Sequence, residues 1–122
     1  MAKTIMVVDD SASLRQVVNM ALKGAGYDVI EACDGKDALG KLNGQKIHLI
    51  VSDVHMPNMD GITFVAEAKK LADYKFTPVI MLTTEAGEDK KKAGQAAGAK
   101  AWVIKPFQPA QMLAAVSKLV AA

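Results

Sequence analysis

Five short apolar runs, separated by longer segments in which apolar residues recur at helical spacing, constrain the fold of this chain most strongly. Strands are predicted over Ile5–Val8, Tyr27–Ala32, Ile47–Ser52, Val79–Leu82 and Ala101–Ile104. Short apolar strands that alternate with amphipathic helices are typical of a parallel sheet covered by helices on both faces. We therefore expect an α/β fold, a doubly wound five-stranded parallel sheet with right-handed crossovers and five helices.

Local signals predict where several of these helices begin and end. Ser11 or Ser13 can cap the first helix and Asp34 the second, because a side-chain oxygen there accepts from the first unpaired backbone N–H groups. The third helix is expected to run through Ala72, and Pro109 opens the last. The first helix is expected to carry apolar residues at helical spacing, namely Leu14, Val17, Val18, Ala21, Leu22 and Ala25.

The helix predicted within 87–97 has the weakest pattern. Gly87 and Gly94 each cost about 1 kcal/mol relative to alanine in a helix interior. Its apolar face consists of small side chains only, those of Ala93, Ala96 and Ala97. We expect it to be the most loosely packed helix of the domain, and therefore the one that shifts at the lowest cost.

The length of 122 residues fits one compact domain, spanning 1–122, that buries roughly two-thirds of its unfolded surface. Hydrophobic residues make up 51% and charged residues 23%, a globular rather than a disordered composition. The net charge of +2, with no segment that interleaves aromatic and basic residues, argues against a nucleic-acid binder. We expect no separate effector domain.

No apolar run approaches the roughly 18 to 20 residues of a membrane span, and the N-terminal residues lead into a strand pattern rather than a signal peptide. A cytoplasmic protein is expected. Cys33 is the only cysteine, which rules out an internal disulfide and a cysteine-based zinc cluster. This usage is in keeping with a reducing compartment, and Cys33 is interpreted as a passive thiol near a strand end.

Reactive side chains follow four of the five predicted strands. They are Asp9 and Asp10 after the first strand, Asp53 after the third, Thr83 after the fourth and Lys105 after the fifth. Because the carboxyl ends of parallel strands lie at one edge of the sheet, we expect these groups to share a cleft. A strand order of 2-1-3-4-5 would place the reversal of strand order, where ligands bind, between strands one and three.

Three carboxylates beside one lysine would repel one another unless a cation were bound among them. Oxygen ligands without histidine or cysteine side chains favour Mg²⁺, which takes one or two carboxylates and shares a phosphate oxygen. Carboxylates can form aspartyl phosphates, and Asp53 is the better nucleophile because it stands alone at the end of a central strand. Thr83 and Lys105 are then placed to hold phosphoryl oxygens, while Asp9 and Asp10 face the metal.

Four segments carry a resemblance to a known family: Val7-Val8-Asp9-Asp10-Ser11, residues 51–61, Leu82-Thr83-Thr84-Glu85 and Ile104-Lys105-Pro106-Phe107. Together they resemble the receiver domain of two-component response regulators. The resemblance covers the whole chain and is closest to the single-domain chemotaxis regulators of the CheY type, which implies a flavodoxin-like fold. Because CheY is itself a known example of the 2-1-3-4-5 strand order, that order is not an independent indication.

The resemblance implies a role for each acidic residue of the cleft. Asp53 would be the phosphoacceptor, receiving its phosphoryl group from a histidine kinase. The metal ligands would be Asp10, Asp53 and the backbone carbonyl of His55, with Asp9 acting through water. Magnesium would therefore be the expected cofactor of this reaction.

The same resemblance implies how the switch responds. Thr83 and Lys105 would contact the phosphoryl oxygens, and Thr83 would shift toward them. Trp102, where the family more often has tyrosine or phenylalanine, would then be free to turn inward. His55 and Glu85 occupy positions that could tune the lifetime of the phosphorylated state.

The expected partners also follow from the resemblance. They are a histidine kinase of the CheA type, a flagellar motor switch or other chemotaxis protein as the output, and a phosphatase that could act on the switch. The output surface would combine the helix within 87–97, the fifth strand and the last helix. We expect a monomer that assists its own phosphorylation and dephosphorylation and is not a turnover enzyme.

Other functions fit parts of the pattern. A receiver that serves as a phosphate sink, or that binds partners without phosphorylation, would keep the same residues. A flavodoxin-like electron carrier would share the architecture, but Asp9 and Asp10 would repel its nucleotide phosphate. A haloacid-dehalogenase-type phosphatase would carry an Asp-x-Asp motif after its first strand. Asp60 is interpreted as a helix cap rather than a metal ligand.

Overall fold

The computed structural model describes residues 3–54, 59–83, 98–104 and 109–120. The strands are β1 (Thr4–Val8), β2 (Asp28–Ala32), β3 (Leu49–Asp53), β4 (Val79–Thr83) and β5 (Ala101–Ile104). The helices within the described ranges are α1 (Ala12–Gly24), α2 (Gly35–Lys41), α3 (Gly61–Lys69) and α4 (Pro109–Val120), with a short 3₁₀ helix at Ala72–Tyr74. The helix predicted within 87–97 lies outside the described residues.

All neighbouring strands pair in parallel, in the order β2-β1-β3-β4-β5. The predicted α/β architecture and strand order are therefore confirmed. Strand order reverses at β1, which pairs with β2 on one side and β3 on the other. The register sets Val8 beside Ala32 of β2 and beside Ser52 of β3, so residues that follow β1 come next to the end of β3.

Side chains that alternate along the strands build two cores, one on each face of the sheet. On one face Met6, Val8 and Ile50 pack with Phe64 and Val65 of α3. The opposite face is covered by α1 and α4, and its core includes Ile5, Val7, Leu49, Val51, Val18, Leu22, Met112 and Val116. Each fully buried aliphatic side chain contributes about 1.5–3 kcal/mol, so the sheet is held rigidly from both sides.

The helix caps follow the predicted chemistry. Ser11 Oγ accepts from the backbone N–H of Leu14 at 3.3 Å, and Asp34 Oδ1 accepts from that of Asp37 at 2.7 Å. Asp60 caps α3 in the same way, since its Oδ1 accepts from the Thr63 N–H at 2.7 Å. Asp60 is therefore the expected cap, and its carboxylate fixes where α3 begins.

One helix has a narrower buried face than its apolar pattern, and another is shorter than expected. Val17 belongs to the apolar pattern of α1 but is 49% exposed, because the buried stripe of α1 runs through Val18 and Leu22. The third helix ends at Lys69 rather than at Ala72. The chain then makes a 3₁₀ turn that buries Tyr74, whose hydroxyl donates to the Gln45 carbonyl at 2.8 Å, and this long-range contact overrides the local helical pattern.

None of the helices in the described ranges has the length and apolar character needed to cross a lipid bilayer.

Candidate functional site

Three carboxylates converge at the edge of the sheet where the strand order reverses. Asp9 and Asp10 follow β1, and Asp53 is the last residue of β3. One carboxylate oxygen of each lies within 4.8 Å of those of the other two. Asp9 and Asp53 are only 2% and 6% exposed, whereas Asp10 is exposed to solvent. The cluster thus has two buried acids and one that is open to incoming ligands.

Backbone and side-chain contacts fix the loop that carries Asp9. The Asp9 N–H donates to the Ala32 carbonyl of β2 at 3.1 Å, and the Asp9 carboxylate accepts from the Ser11 N–H at 2.9 Å. Arg15 reaches back from α1 and donates through Nη1 to the Asp9 carbonyl at 2.5 Å. Its Nε is paired with Glu31 of β2 at 3.4 Å. The loop is therefore tied to both α1 and β2.

The position of Asp53 is set by its immediate neighbours. Its Oδ1 accepts from the Val54 N–H at 2.8 Å, which fixes the rotation of the carboxylate. The Ser52 hydroxyl donates to the Asp53 backbone carbonyl at 2.9 Å. These bonds hold the Asp53 side chain at the end of a fully buried strand, where it has little freedom to turn away from the cluster.

Gly61 is required by the close approach of α3 to Asp53. A Cβ atom at Gly61 would lie 1.9 Å from the Asp53 carbonyl oxygen and 3.0 Å from Met81 Cε. The Gly61 N–H also donates to the Val54 carbonyl at 2.7 Å. No other residue type fits at this position without moving the backbone beneath the cluster, so Gly61 sets the spacing between α3 and β3.

The donor set suits a hard divalent cation. Three carboxylates at this separation repel one another, and a cation among them relieves that repulsion. Within the described residues the group contains oxygen donors only, a set that favours Mg²⁺ over zinc or copper. Because Asp10 is exposed while Asp9 and Asp53 are buried, an ion held here would keep an open side, as Mg²⁺ usually does when it also contacts phosphate.

The remaining predicted residues are placed as follows. Thr83 is the last residue of β4 and pairs with Ile104 of β5, so its backbone lies at the same edge of the sheet as Asp53. Trp102 lies in β5 beside Met81 and packs on the α3 side of the sheet. Its indole N–H is buried, with no hydrogen-bond partner in the described part of the chain. The predicted residues His55, Glu85 and Lys105 lie outside the described residues.

Two contributors to the site were missed by sequence reasoning. Gly61 entered the sequence analysis only as the end of the matching segment 51–61, although a glycine just after a helix cap can signal close backbone approach. Arg15 was not singled out, because only the tertiary structure shows that its guanidinium reaches the Asp9 carbonyl. Arg15 lies one helical turn after the Ser11 cap, and this spacing alone does not indicate a contact with Asp9.

Comparison with known proteins gives a consistent result. A family model described as response regulator receiver domain matches residues 5–117. The chain is 38% identical over 112 residues to protein PilG of Pseudomonas aeruginosa. The aligned region covers 92% of this chain and 83% of PilG. It is 40% identical over 121 residues to the alkaline phosphatase synthesis transcriptional regulatory protein PhoP of Bacillus subtilis, covering 98% of this chain.

The chain spans 47–49% of the length of the transcriptional regulators that it matches, PhoP among them. Among solved structures, the chemotaxis protein CheY4 of Vibrio cholerae superposes with a TM-score of 0.94 at 43% identity. That superposition covers 98% of this chain and 99% of CheY4. The similarity to these proteins therefore extends over almost the whole chain.

Proposed function

Since this chain belongs to the response regulator receiver domain family of two-component signalling, we propose that Asp53 is its phosphoryl acceptor. The observation that carries the proposal is the convergence of Asp9, Asp10 and Asp53 within 4.8 Å at the point where strand order reverses. Receiver domains of this family interact with histidine kinases and with downstream targets. The donor is accordingly a phosphohistidine of such a kinase.

In the proposed step, a carboxylate oxygen of Asp53 attacks the phosphorus of the phosphohistidine. The new P–O bond forms as the P–N bond breaks, and the electron pair of the P–N bond stays with the departing imidazole nitrogen. The bond from the Val54 N–H to Oδ1 holds the carboxylate in one rotation, which reduces the entropy lost when donor and acceptor align. Positioning and charge stabilisation are most of what this chemistry requires.

The residues that would hold Mg²⁺ are Asp10 and Asp53, with Asp9 supporting them through water. When bound, the ion supplies positive charge that neutralises the phosphoryl oxygens during transfer. The chain's own contribution is the rigid placement of the ligands, through Arg15 on the Asp9 loop and Ser52 on the Asp53 carbonyl. The carbonyl of His55, outside the described residues, completes the proposed ligand set.

The proposed switch passes from the acceptor to β5. Thr83 and Lys105 contact the phosphoryl oxygens, Thr83 moves toward them, and Trp102 changes its packing. The buried, unpartnered indole N–H in the described part of the chain supports this, because an unsatisfied donor lowers the cost of changing the ring position. The predicted roles of His55 and Glu85 in setting the lifetime of the phosphorylated state belong to the same proposal.

We further propose that residues 1–122 act as one receiver domain and that the domain is not a turnover enzyme. The likeness to CheY4, a chemotaxis protein, supports a pathway of the chemotaxis type, with a CheA-like kinase as donor. The output partner is then a flagellar motor switch or other chemotaxis protein that binds the face made by the helix predicted within 87–97, β5 and α4. A phosphatase can act on the same acyl phosphate.

The decisive experiment is phosphorylation by acetyl phosphate and Mg²⁺, followed by mass spectrometry of the intact protein and of its peptides. Wild type should gain one phosphoryl group on the peptide that contains Asp53, whereas Asp53→Asn should gain none. Asp60→Asn is the matched control, because asparagine also caps helices and Asp60 lies just before α3. Equal labelling of the wild type and of Asp53→Asn would refute the proposal.

Transfer from the purified histidine kinases of the source organism then identifies the donor. The fluorescence of Trp102, the only tryptophan, reports the switch in the same samples. We expect its emission to change when Asp53 is modified. Unaltered fluorescence alongside complete modification would remove Trp102 from the mechanism while leaving the acceptor assignment intact. An output that survives Asp53→Asn unchanged would instead favour a module that works without phosphorylation.

A further inference from the structure

At the end of the sheet opposite the aspartates, three lysines surround an exposed aromatic ring. Lys69 ends α3, Lys75 and Phe76 follow the 3₁₀ helix, and Lys100 directly precedes β5. Together with Gly98 they line an open recess of about 410 Å³. We call Lys69, Lys75, Phe76 and Lys100 the lysine–phenylalanine patch. It uses none of the residues assigned to phosphoryl transfer.

Phe76 is the most exposed large apolar side chain in the described part of the chain. Its side chain is 86% exposed, compared with 38% for Leu71 nearby. A cationic group rests over the ring, since Lys75 Nζ lies 5.6 Å from its centroid. Aromatic side chains are enriched at protein interfaces, where a desolvated ring surrounded by polar groups supplies much of the binding energy.

The lysines of the patch are placed by specific contacts. The Lys69 ammonium donates to the Thr77 carbonyl, and its methylene stem lies against Gly98, whose φ of +118° lets the chain turn there. A Cβ atom at Gly98 would lie only 3.1 Å from Lys69 Cγ. The backbone N–H of Lys100 donates to the Val79 carbonyl at 2.8 Å, which fixes that lysine at the start of β4.

Positive charge accumulates in this patch without a matching acid among the residues that the structure describes. None of Lys69, Lys75 and Lys100 forms an ion pair with a carboxylate of the described residues. Burial lowers the pKa of Lys69, and the neighbouring Lys100 ammonium lowers it further. Asp73, although close in sequence, lines the neighbouring recess beside Gly44 and Tyr74. An anionic group in the patch would therefore relieve a repulsion that is built into the fold.

We propose that the lysine–phenylalanine patch docks an acidic segment of a partner protein, with an apolar side chain of that segment packed against Phe76. Charge complementarity selects the partner, because three ammonium groups and an aromatic ring fit alternating carboxylates and apolar groups. The patch lies at the start of β4 and Asp53 lies at the end of the neighbouring β3. A strand of five residues separates the two by about 15 Å, so docking leaves the aspartate edge accessible.

The probe is a fluorescein-labelled peptide of repeated Glu-Glu-Leu units, and its binding is followed by fluorescence anisotropy. Binding should weaken steadily as salt is added, since the contacts are largely between exposed charges. Phe76→Ser, and the double variant Lys75→Glu with Lys100→Glu, should each lower the affinity by about tenfold. Phe76 is so exposed that its replacement should leave folding unchanged, and circular dichroism checks this.

The matched control is the double variant Lys23→Glu on α1 with Lys118→Glu on α4. Both lysines are exposed and lie on the helices that cover the other face of the sheet, so this variant changes the net charge as much as the double patch variant does without touching the patch. The control should bind the peptide within about twofold of the wild type, because distant exposed charges are screened. Amide chemical shifts should move at the patch and not at Asp9, Asp10 or Asp53.

Three results would overturn the proposal. The first is equal binding by the patch variants and the control variant. The second is a shift map that centres on another surface. The third is binding of phosphatidylglycerol vesicles or duplex RNA through the patch while the acidic peptide does not bind, since this would assign another class of partner. Asp53→Asn should bind the peptide as the wild type does, so the outcome is independent of the proposed phosphorylation.

Discussion

The two ends of this sheet carry opposite charge and are built in opposite ways. At the carboxyl end, Asp9 and Asp53 are buried and held by short hydrogen bonds from backbone N–H groups. At the amino end, the lysines and Phe76 of the patch lie largely at the surface. Burial fixes the geometry of the aspartates, which chemistry requires. Exposure leaves the positive charge of the lysines and the ring of Phe76 free to bind a partner. A rigid sheet lets each end change without the other.

The largest effect is expected at the aspartate edge. Asp10→Asn should lower Mg²⁺ affinity by about 10- to 100-fold, because one of the carboxylates facing the ion loses its charge. Isothermal titration calorimetry measures this affinity. The same variant should bind the acidic peptide as the wild type does, since the two ends act separately. A loss of peptide binding in Asp10→Asn would show that the two ends of the sheet do not act independently.

The next effect concerns the spacing between α3 and Asp53. Gly61→Ala should destabilise the fold by about 2–3 kcal/mol and slow phosphorylation, because its methyl group would meet the Asp53 carbonyl oxygen. Gly40→Ala in α2 is the control, since a Cβ atom there meets nothing within 4 Å. That control should raise stability by about 0.5–1 kcal/mol through helix propensity. Urea unfolding of both variants separates the two effects, and similar stabilities would contradict the close-approach argument.

A smaller effect tests whether Mg²⁺ affinity depends on the exact placement of the aspartates or only on the charge near them. Arg15→Lys keeps the charge near the cluster but loses the planar donor that reaches the Asp9 carbonyl. We expect Mg²⁺ affinity to fall about three- to tenfold, less than the roughly 10- to 100-fold typical of residues that orient metal ligands directly, because Arg15 holds the backbone of Asp9 and not its carboxylate. Lys36→Arg, at an exposed position of α2, should leave the affinity unchanged. An unchanged Mg²⁺ affinity in Arg15→Lys would mean that charge alone, without the contact to the Asp9 carbonyl, determines metal binding at the aspartate edge.

The smallest effect is a pH dependence at the patch. Because the pKa of Lys69 is lowered in the folded state, the unfolded chain binds its proton more tightly, and stability should rise as pH increases from the folded pKa toward 10.5. Because Lys69 is only half-buried, solvent screening limits this contribution to about a few tenths of a kcal/mol. Lys100→Gln removes one cause of the shift and should flatten the slope measured by urea unfolding across this pH range. An unchanged slope would show that Lys100 does not act on Lys69.

Much of the fold was predictable because its signals are local. The strands needed only short apolar runs, and the caps at Ser11, Asp34 and Asp60 needed only an oxygen one residue before a helix. Convergence of the acids at one edge followed from parallel pairing, and the structure brings Asp9, Asp10 and Asp53 together as expected. The assigned roles of Thr83, Lys105, His55, Glu85 and Trp102 stay predictions that the phosphorylation experiments address.

Contacts between residues far apart in the chain decided what local signals did not. Tyr74 ends the run of helical residues after α3 because its hydroxyl bonds to Gln45, twenty-nine positions earlier. Arg15 meets the Asp9 carbonyl and Glu31 only once α1 packs beside β2. The patch gathers Lys69, Phe76 and Lys100 from three separate segments. Periodicity and capping depend on neighbours along the chain, whereas close approach and surface charge depend on which elements the folded sheet sets side by side.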